Sequence, residues 1–198
     1  PVITQGAGPL NKSVPEDGLA TWTGSELNAT DVDTASASLT WNLSSAPSNG
    51  TATVSGTGAS PTIFNYSPAP DFTGTDSFVV QVTDGALTDS IPVTVTVVAV
   101  NDPPVITQGA GPLNKSVPED GLATWTAGEL NATDVDTAAA SLTWNLSSAP
   151  SNGTATVSGT GASPTIFNYS PGANFTGTDS FVVQVTDGAL TDSIPVNV

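Results

Sequence analysis

The chain has 198 residues, of which 18 are acidic and 2 are basic, so its formal charge is 2 − 18 = −16. It contains no histidine, cysteine or methionine, which excludes chemistry that needs an imidazole or a thiolate. Its only basic side chains are Lys12 and Lys115, so the chain repels phosphate and nucleic acid is excluded as a partner.

One segment of the sequence occurs twice, with a period of 103 residues. PVITQGAGPLNKSVPEDGLATWT begins at Pro1 and again at Pro104, and 7 of the 95 aligned positions differ, leaving 95 − 7 = 88 identical. A period near 100 residues is the length of a whole domain rather than of a solenoid repeat. We therefore predict two tandem domains with one shared function, residues 1–103, which include a linker, and residues 104–198.

Each repeat begins with short apolar segments near Val2 and Leu10 and within residues 19–28. Leu39, Trp41 and Leu43 then alternate with polar residues, which is typical of a half-buried strand. After a turn at Asn49-Gly50, the segments TATVSG, PTIFNYSP and DSFVVQVTDG predict three further strands.

The last predicted strand runs from Ser90 to Val100, with every second residue apolar. Pro92 has no N–H group to donate, so it should lie at a sheet edge or a bulge. No segment has a helical period. About seven short strands in each repeat predict an all-β chain of two Greek-key β-sandwich domains.

The four tryptophans permit two interpretations. They could form an exposed platform that stacks on sugars, or they could pack in the two cores. Trp41 alternates with leucines, which favours packing, and Trp22 lies between threonines, which makes packing less strongly indicated. Trp125 and Trp144 are their copies in the second repeat.

The acidic residues concentrate at predicted strand ends and in loops. Asp31 and Asp33 follow one strand, Asp84 ends another, Glu16 lies in an early loop, and Asp102 lies in the linker. A solvated, solubilising surface is the alternative interpretation. However, carboxylates without protein counter-charge repel one another, and converging oxygens are the ligands that Ca²⁺ takes. We therefore predict ion binding.

The order VNDPPV, VPEDG, ATDVD and VTDG resembles the cadherin repeat, and NYSPAPDFTGTDSFVVQVTDG resembles the bacterial cadherin-like repeats of large calcium-dependent surface adhesins of the RTX or biofilm type. The resemblance covers nearly all of each copy. It implies cadherin- or immunoglobulin-like sandwiches with Ca²⁺ between successive domains. The predicted ligands at the junction inside this chain are Glu16, Asp76, Asn101, Asp102, Asp134, Asp136 and Asp187.

The familiar Asp-Arg-Glu motif of cadherins is missing, and either Asp71 or Asp76 could replace it. Asp71 becomes Asn174 in the second copy, which favours Asp76. The usual three ions per junction are therefore in doubt. By the same resemblance, Asp31, Asp33 and Asp84 would face a preceding domain. Glu119 and Asp179 would face a following one.

The resemblance implies a monomeric, non-enzymatic extender module on a bacterial cell surface. Calcium would stiffen its junctions with neighbouring repeats so that a distal binding domain is held away from the cell. Two alternatives stay open: an adhesive module that binds carbohydrate or protein, and an accessory domain of a secreted hydrolase. An exposed aromatic cluster would favour the adhesive module, whereas a surface rich in Ser, Thr and Ala would favour the extender.

Overall fold

The computed structural model describes all residues from Pro1 to Val198. They form two compact units, which we call domain 1 (Pro1–Val100) and domain 2 (Asn101–Val198). Residues 101–103, assigned to the first repeat from the sequence, therefore group with domain 2. The hydrogen bonds of Asn101 and Asp102, described below, explain this grouping.

Both domains are built from β-strands, each with one short 3₁₀ turn, at Ser36–Ser38 and Ala139–Ser141. No helix has the length and hydropathy to cross a membrane. The strands of domain 1 are β1 (Val2–Ile3), β2 (Leu10–Pro15), β3 (Ala20–Thr21), β4 (Ala29–Thr30), β5 (Thr40–Ser45), β6 (Gly50–Thr57), β7 (Ile63–Pro68), β8 (Gly74–Thr83) and β9 (Thr88–Val98). Those of domain 2 are β10 (Val105–Ile106), β11 (Leu113–Asn114), β12 (Ala123–Thr124), β13 (Ala132–Thr133), β14 (Thr143–Ser148), β15 (Gly153–Thr160), β16 (Ile166–Pro171), β17 (Ser180–Thr186) and β18 (Thr191–Asn197).

Seven strands of each domain form one hydrogen-bonded sheet. In domain 1 their order is β2-β9-β8-β5-β6-β7-β3, and in domain 2 it is β11-β18-β17-β14-β15-β16-β12. Within each seven-stranded sheet, the strand that comes first in the chain pairs in parallel with the one that comes last. These pairs are β2 with β9 and β11 with β18, and all other neighbours are antiparallel. The two-residue strands β1 and β4 pair separately, as do β10 and β13.

Each sheet folds over on itself into two packed layers. In the sheet order two strands separate β7 from β8, yet the rings of Phe64 and Phe78 on those strands lie 6.3 Å apart. Trp22 also meets Phe78 edge to face at 6.1 Å. Such contacts require opposite parts of the sheet to face each other across a shared core. The predicted all-β sandwich is therefore confirmed for both domains.

Pro92 lies where β9 has a neighbour on one side only. It pairs with Val79 of β8, and β2 begins to pair with β9 at the next residue, Val93. The missing N–H group therefore leaves no ladder hydrogen bond unmade on the β2 side. The prediction that this proline lies at an edge is confirmed.

All four tryptophans pack in the cores. Trp41 is 2% exposed and donates its indole N–H to the Gly58 carbonyl at 2.9 Å. Trp22 is 9% exposed, stacks on Phe64 at 4.2 Å, and carries the Lys12 ammonium 5.4 Å from its ring. Of the other aromatic side chains, Phe72 and Phe175 are half-buried, all the rest are fully buried, and none is exposed. An exposed sugar-stacking platform is therefore not present.

Candidate metal centre

The loop after β13 holds one carboxylate in a fixed orientation. Asp134 Oδ1 accepts the backbone N–H groups of Asp136 at 2.9 Å and Thr137 at 2.7 Å. Such a side-chain turn is the usual role of an aspartate at a strand end. The other oxygen, Asp134 Oδ2, is buried and accepts no hydrogen bond. A buried carboxylate oxygen without a donor is costly, so this position favours a cation.

The turn between β17 and β18 holds a second carboxylate. Asp187 Oδ1 accepts the N–H groups of Ala189 at 2.6 Å and Leu190 at 2.7 Å. The next residue, Gly188, has φ of 109°, a conformation that glycine adopts without strain, which explains the Asp-Gly pair. Asp187 Oδ2 is left to face the linker.

Two linker residues connect these loops. Asn101 donates from Nδ2 to Asp187 Oδ2 at 2.6 Å, and the Asp102 N–H group donates to Asp136 Oδ2 at 2.7 Å. We call Asn101, Asp102, Asp134, Asp136 and Asp187 the linker cluster. Domain 2 therefore brings together five of the residues predicted to bind metal.

The linker cluster has no basic side chain to balance its charge. The one lysine of domain 2, Lys115, pairs with Glu129 at 2.7 Å, which lowers the pKa of that carboxyl to about 2. The Asn101 amide, followed by the turn N–H groups, lowers the pKa of Asp187. Asp187 is therefore ionised at neutral pH. An ionised, oxygen-rich group without counter-charge fits a hard divalent cation.

Domain 1 repeats this arrangement with Asp31, Asp33 and Asp84. Asp31 Oδ1 accepts the N–H groups of Asp33 at 3.0 Å and Thr34 at 2.9 Å, as its counterpart does in domain 2. The Pro1 nitrogen lies 2.7 Å from Asp31 Oδ2 and 3.8 Å from Asp84 Oδ2.

The pKa shifts in domain 1 show how strongly these carboxylates interact. The Pro1 ammonium, then the loop N–H groups, hold the pKa of Asp31 well below its usual range. The ionised Asp31 raises the pKa of Asp33, through their hydrogen bond and through like-charge repulsion. The turn N–H groups of Leu87 and Ala86 lower the pKa of Asp84. The charges of Asp31 and Asp33 are therefore electrostatically coupled.

Asp76 has a different role from the predicted one. It is 4% exposed and accepts four hydrogen bonds from its own domain, from the N–H groups of Ser48, Asn49 and Ser77 and from the Tyr66 hydroxyl, at 2.8–3.1 Å. A carboxylate has about four lone-pair positions, so no position is left for a metal. Asp179 is 6% exposed and accepts the four equivalent bonds. Neither residue replaces the missing motif.

The pKa values of this buried pair follow from the same bonds. Burial alone would raise the pKa of Asp76, but the N–H groups of Asn49, Ser48 and Ser77 and the Tyr66 hydroxyl outweigh it, and the net shift is downward. In domain 2, burial and the hydrogen bond to Asp179 raise the pKa of the Tyr169 phenol to about 12. These aspartates are therefore ionised anchors of the fold.

Glu16 and Glu119 differ in burial although their local sequences are identical. Glu16 is 5% exposed, its Oε1 accepts the Val100 N–H group at 2.6 Å, and its Oε2 is buried without a hydrogen bond. Glu119 is exposed.

Asp71, the other proposed substitute for the missing motif, is exposed and adopts φ of 57°. Asn174 has the same conformation, which aspartate and asparagine both tolerate.

Sequence reasoning missed one pair of structural carboxylates. Asp89 Oδ2 accepts the N–H group of Ile3 at 2.7 Å, and Asp192 Oδ2 accepts that of Ile106 at 2.8 Å. Each bond ties the first short strand of a domain to the start of its last strand. The sequence held one indication of this role. Asp89 precedes the buried Ile91 by two residues, so both side chains lie on the same, core-facing side of the strand.

Residues 1–99 match the profile of the bacterial cadherin-like domain, and residues 101–198 match that of the bacterial Ig domain. No curated protein matches the sequence. Among solved structures, Drosophila N-cadherin EC1-4 is 17% identical with a TM-score of 0.53 over 96% of this chain. Mouse cadherin-23 EC22-24 is 18% identical with a TM-score of 0.52 over 98%.

The chain spans 48% of the N-cadherin structure and 64% of the cadherin-23 structure, and these likenesses concern the fold alone. An endo-fucoidan hydrolase of glycoside hydrolase family 107 is 20% identical, but this chain spans 27% of it with a TM-score of 0.37, too low to carry an argument. From the profile matches and the sandwich fold, the chain belongs to the family of bacterial cadherin-like domains.

Proposed function

We propose that this chain is a calcium-binding structural module of a bacterial surface protein, and that the linker cluster is its calcium site. The observation that carries the proposal is Asp134 Oδ2, a buried carboxylate oxygen that accepts no hydrogen bond beside two further aspartates. Asp102, Asp134, Asp136 and Asp187 would supply carboxylate oxygens. Asn101 would supply its amide oxygen after a half-turn of the amide group. Calcium would supply the positive charge that the linker cluster lacks.

We propose further that calcium limits the motion between successive domains, with Glu16 as a ligand from the preceding one. The resemblance to cadherin repeats motivates this role for Glu16. Such a module would act as an extender, in which tandem domains hold a distal binding domain away from the cell surface. The absence of exposed aromatic side chains favours this function over an adhesive one.

Calorimetric titration with calcium tests the site with a matched pair of variants. Asp134→Asn keeps the oxygen that holds the loop but replaces Oδ2 by an amide nitrogen, which repels a cation. We expect the Kd to rise at least ~tenfold. Asp120→Asn removes the same charge beside Asn174, at the opposite end of domain 2, and should leave the Kd unchanged. An unchanged Kd for Asp134→Asn would contradict the assignment.

A further inference from the structure

Two neighbouring strands of domain 1, β2 and β9, run in the same direction. Six residues of β2, Leu10–Pro15, pair with Val93–Val98 of β9. Strand β2 is the first long strand of the domain, and β9 is its last. The chain therefore enters the body of the domain through one of these strands and leaves it through the other. We call the two paired segments the terminal strand pair.

The parallel direction determines how a pull along the chain acts on the terminal strand pair. Leu10, where β2 begins, lies level with Val93, and Pro15, where β2 ends, lies level with Val98. A pull on both sides of the domain moves Leu10 backwards along its strand and Val98 forwards along the neighbouring strand. The strands are thus loaded lengthwise in opposite directions, and the hydrogen bonds between them share the load. Two strands that are pulled apart from the same end lose these bonds one after another.

Glu16 extends the hydrogen bonding past the end of β2. Its backbone N–H group donates to the Val98 carbonyl at 2.9 Å, and its carboxylate Oε1 accepts the Val100 N–H group at 2.6 Å. The glutamate side chain is 5% exposed, so water competes little for the second bond. The segment that follows β9 is therefore also held to the segment that follows β2.

Both strands of the terminal strand pair are fixed to the rest of domain 1. Strand β9 pairs on its other side with Gly74–Thr83 of β8, through ten residue pairs, and its inward-facing valines are at most 3% exposed. Strand β2 places Val14 in the core, and its Lys12 ammonium lies 2.8 Å from Glu26 Oε1. The shorter pairing, between β2 and β9, is therefore the connection that a lengthwise pull must break first.

We propose that the terminal strand pair is a mechanical clamp, which keeps domain 1 folded when the chain is under tension. An extender is under tension when the surface that its distal domain binds moves relative to the cell. The source of the tension rests on the proposed extender role, whereas the clamp consists of hydrogen bonds inside domain 1 and uses no calcium. Its resistance depends on the direction of the force, which distinguishes it from thermal stability.

Single-molecule force spectroscopy in EDTA tests the clamp by pulling the complete chain in two directions. The chain has no cysteine, so introduced cysteines define where the handles attach. Ala7→Cys with Ala99→Cys, both at exposed positions, loads the terminal strand pair lengthwise. Ala7→Cys with Ala86→Cys pulls both strands from the same end and peels β2 from β9. At equal pulling speed, we expect an unfolding force at least ~twofold higher in the lengthwise direction, because the bonds then break together.

The released length identifies the domain that unfolds. The lengthwise handles enclose 99 − 7 = 92 residues of domain 1, which release about 300 Å of chain. Domain 2 lies outside the handles and carries no force in either direction.

Two core valines provide matched variants for the lengthwise direction. Val14→Ala and Val54→Ala remove the same two methyl groups from side chains that are 4% and 7% exposed. Val14 belongs to the clamp, whereas Val54 lies on β6, outside it. Both variants should lower the melting temperature of domain 1. Only Val14→Ala should lower the lengthwise unfolding force, because only its contacts hold the clamp together.

Equal unfolding forces in the two directions would overturn the proposal, as would an equal loss of force for the two valine variants. A dependence on direction that appears only in calcium would also overturn it, since the clamp uses no calcium. A negative calcium titration would leave all these expectations unchanged, so the clamp and the calcium site fail independently.

Discussion

Asp76→Ala should lower the melting temperature of domain 1 by about 15 °C or more while domain 2 keeps its own. The substitution leaves three backbone N–H groups and the Tyr66 hydroxyl without their acceptor. Each unsatisfied buried donor costs about 1–3 kcal/mol, and breaking a buried charged network costs about 3–5 kcal/mol in total. For a domain of this size, each kcal/mol shifts the melting temperature by roughly 4–8 °C. Differential scanning calorimetry measures both transitions.

Two variants make this result specific. Asp71→Asn, an exposed change that the second copy already has at Asn174, should leave the melting temperature within about 2 °C. Tyr66→Phe removes one of the four donors and should cost only about 1 kcal/mol. Acid should act in the same direction as Asp76→Ala. The folded pKa of Asp76 is lowered, so its stabilisation is complete above its unfolded pKa and is lost as pH falls through the folded value. A melting temperature unchanged by Asp76→Ala would show that these bonds do not stabilise the fold.

Calcium should raise the melting temperature of domain 2 by about 10 °C or more. An ion that binds the folded linker cluster but not the unfolded chain stabilises by RT ln(1 + [L]/Kd), about 2.7 kcal/mol at a hundredfold excess over Kd. The free energy of unfolding therefore increases with calcium concentration. Melting curves in excess calcium and in EDTA measure the shift.

Other salts distinguish coordination of calcium from simple screening of the charges of the aspartates. Sodium chloride at matched ionic strength reduces the repulsion among the aspartates but does not coordinate them, so it should recover only a small part of the shift. Magnesium demands a tighter octahedral geometry and should also be less effective. Asp134→Asn should remove most of the calcium effect. Identical melting curves in calcium and in EDTA would contradict calcium-linked stability.

The strands and the loop positions of the aspartates were predictable because both follow from local patterns. Alternation with a period of two identifies which residues face the core, as for Phe78 and Val80, and the structure buries both. Asp134 and Asp187 follow strands, and such positions are loops. The family resemblance, rather than the local pattern, supplied the expectation that these loops and the linker meet.

The role of Asp76 was less accessible from the sequence. Asp76 lies two residues before Phe78, and therefore on the same face of the strand. This position indicates burial and could have distinguished Asp76 from the exposed carboxylates. Its donors, however, include the N–H groups of Ser48 and Asn49, which lie 28 and 27 residues away in the chain. A local pattern identifies a buried carboxylate, but only the tertiary fold identifies its partners.

The contrast between Glu16 and Glu119 was not predictable from either motif alone. Both lie in the sequence VPEDG, and one is buried while the other is exposed. Glu16 accepts the N–H group of Val100, 84 residues later in the chain. The five-residue motif does not contain this distant backbone group, so the motif alone does not predict the environment of the glutamate.

The most direct test of the calcium site is an anomalous difference map from crystals of this chain grown in calcium. We expect a peak at the linker cluster, with carboxylate oxygens of Asp134, Asp136 and Asp187 at about 2.3–2.6 Å from the ion. Crystals of Asp134→Asn grown in the same solution should lack that peak. A map at saturating calcium with no peak at these three aspartates would contradict the proposed site.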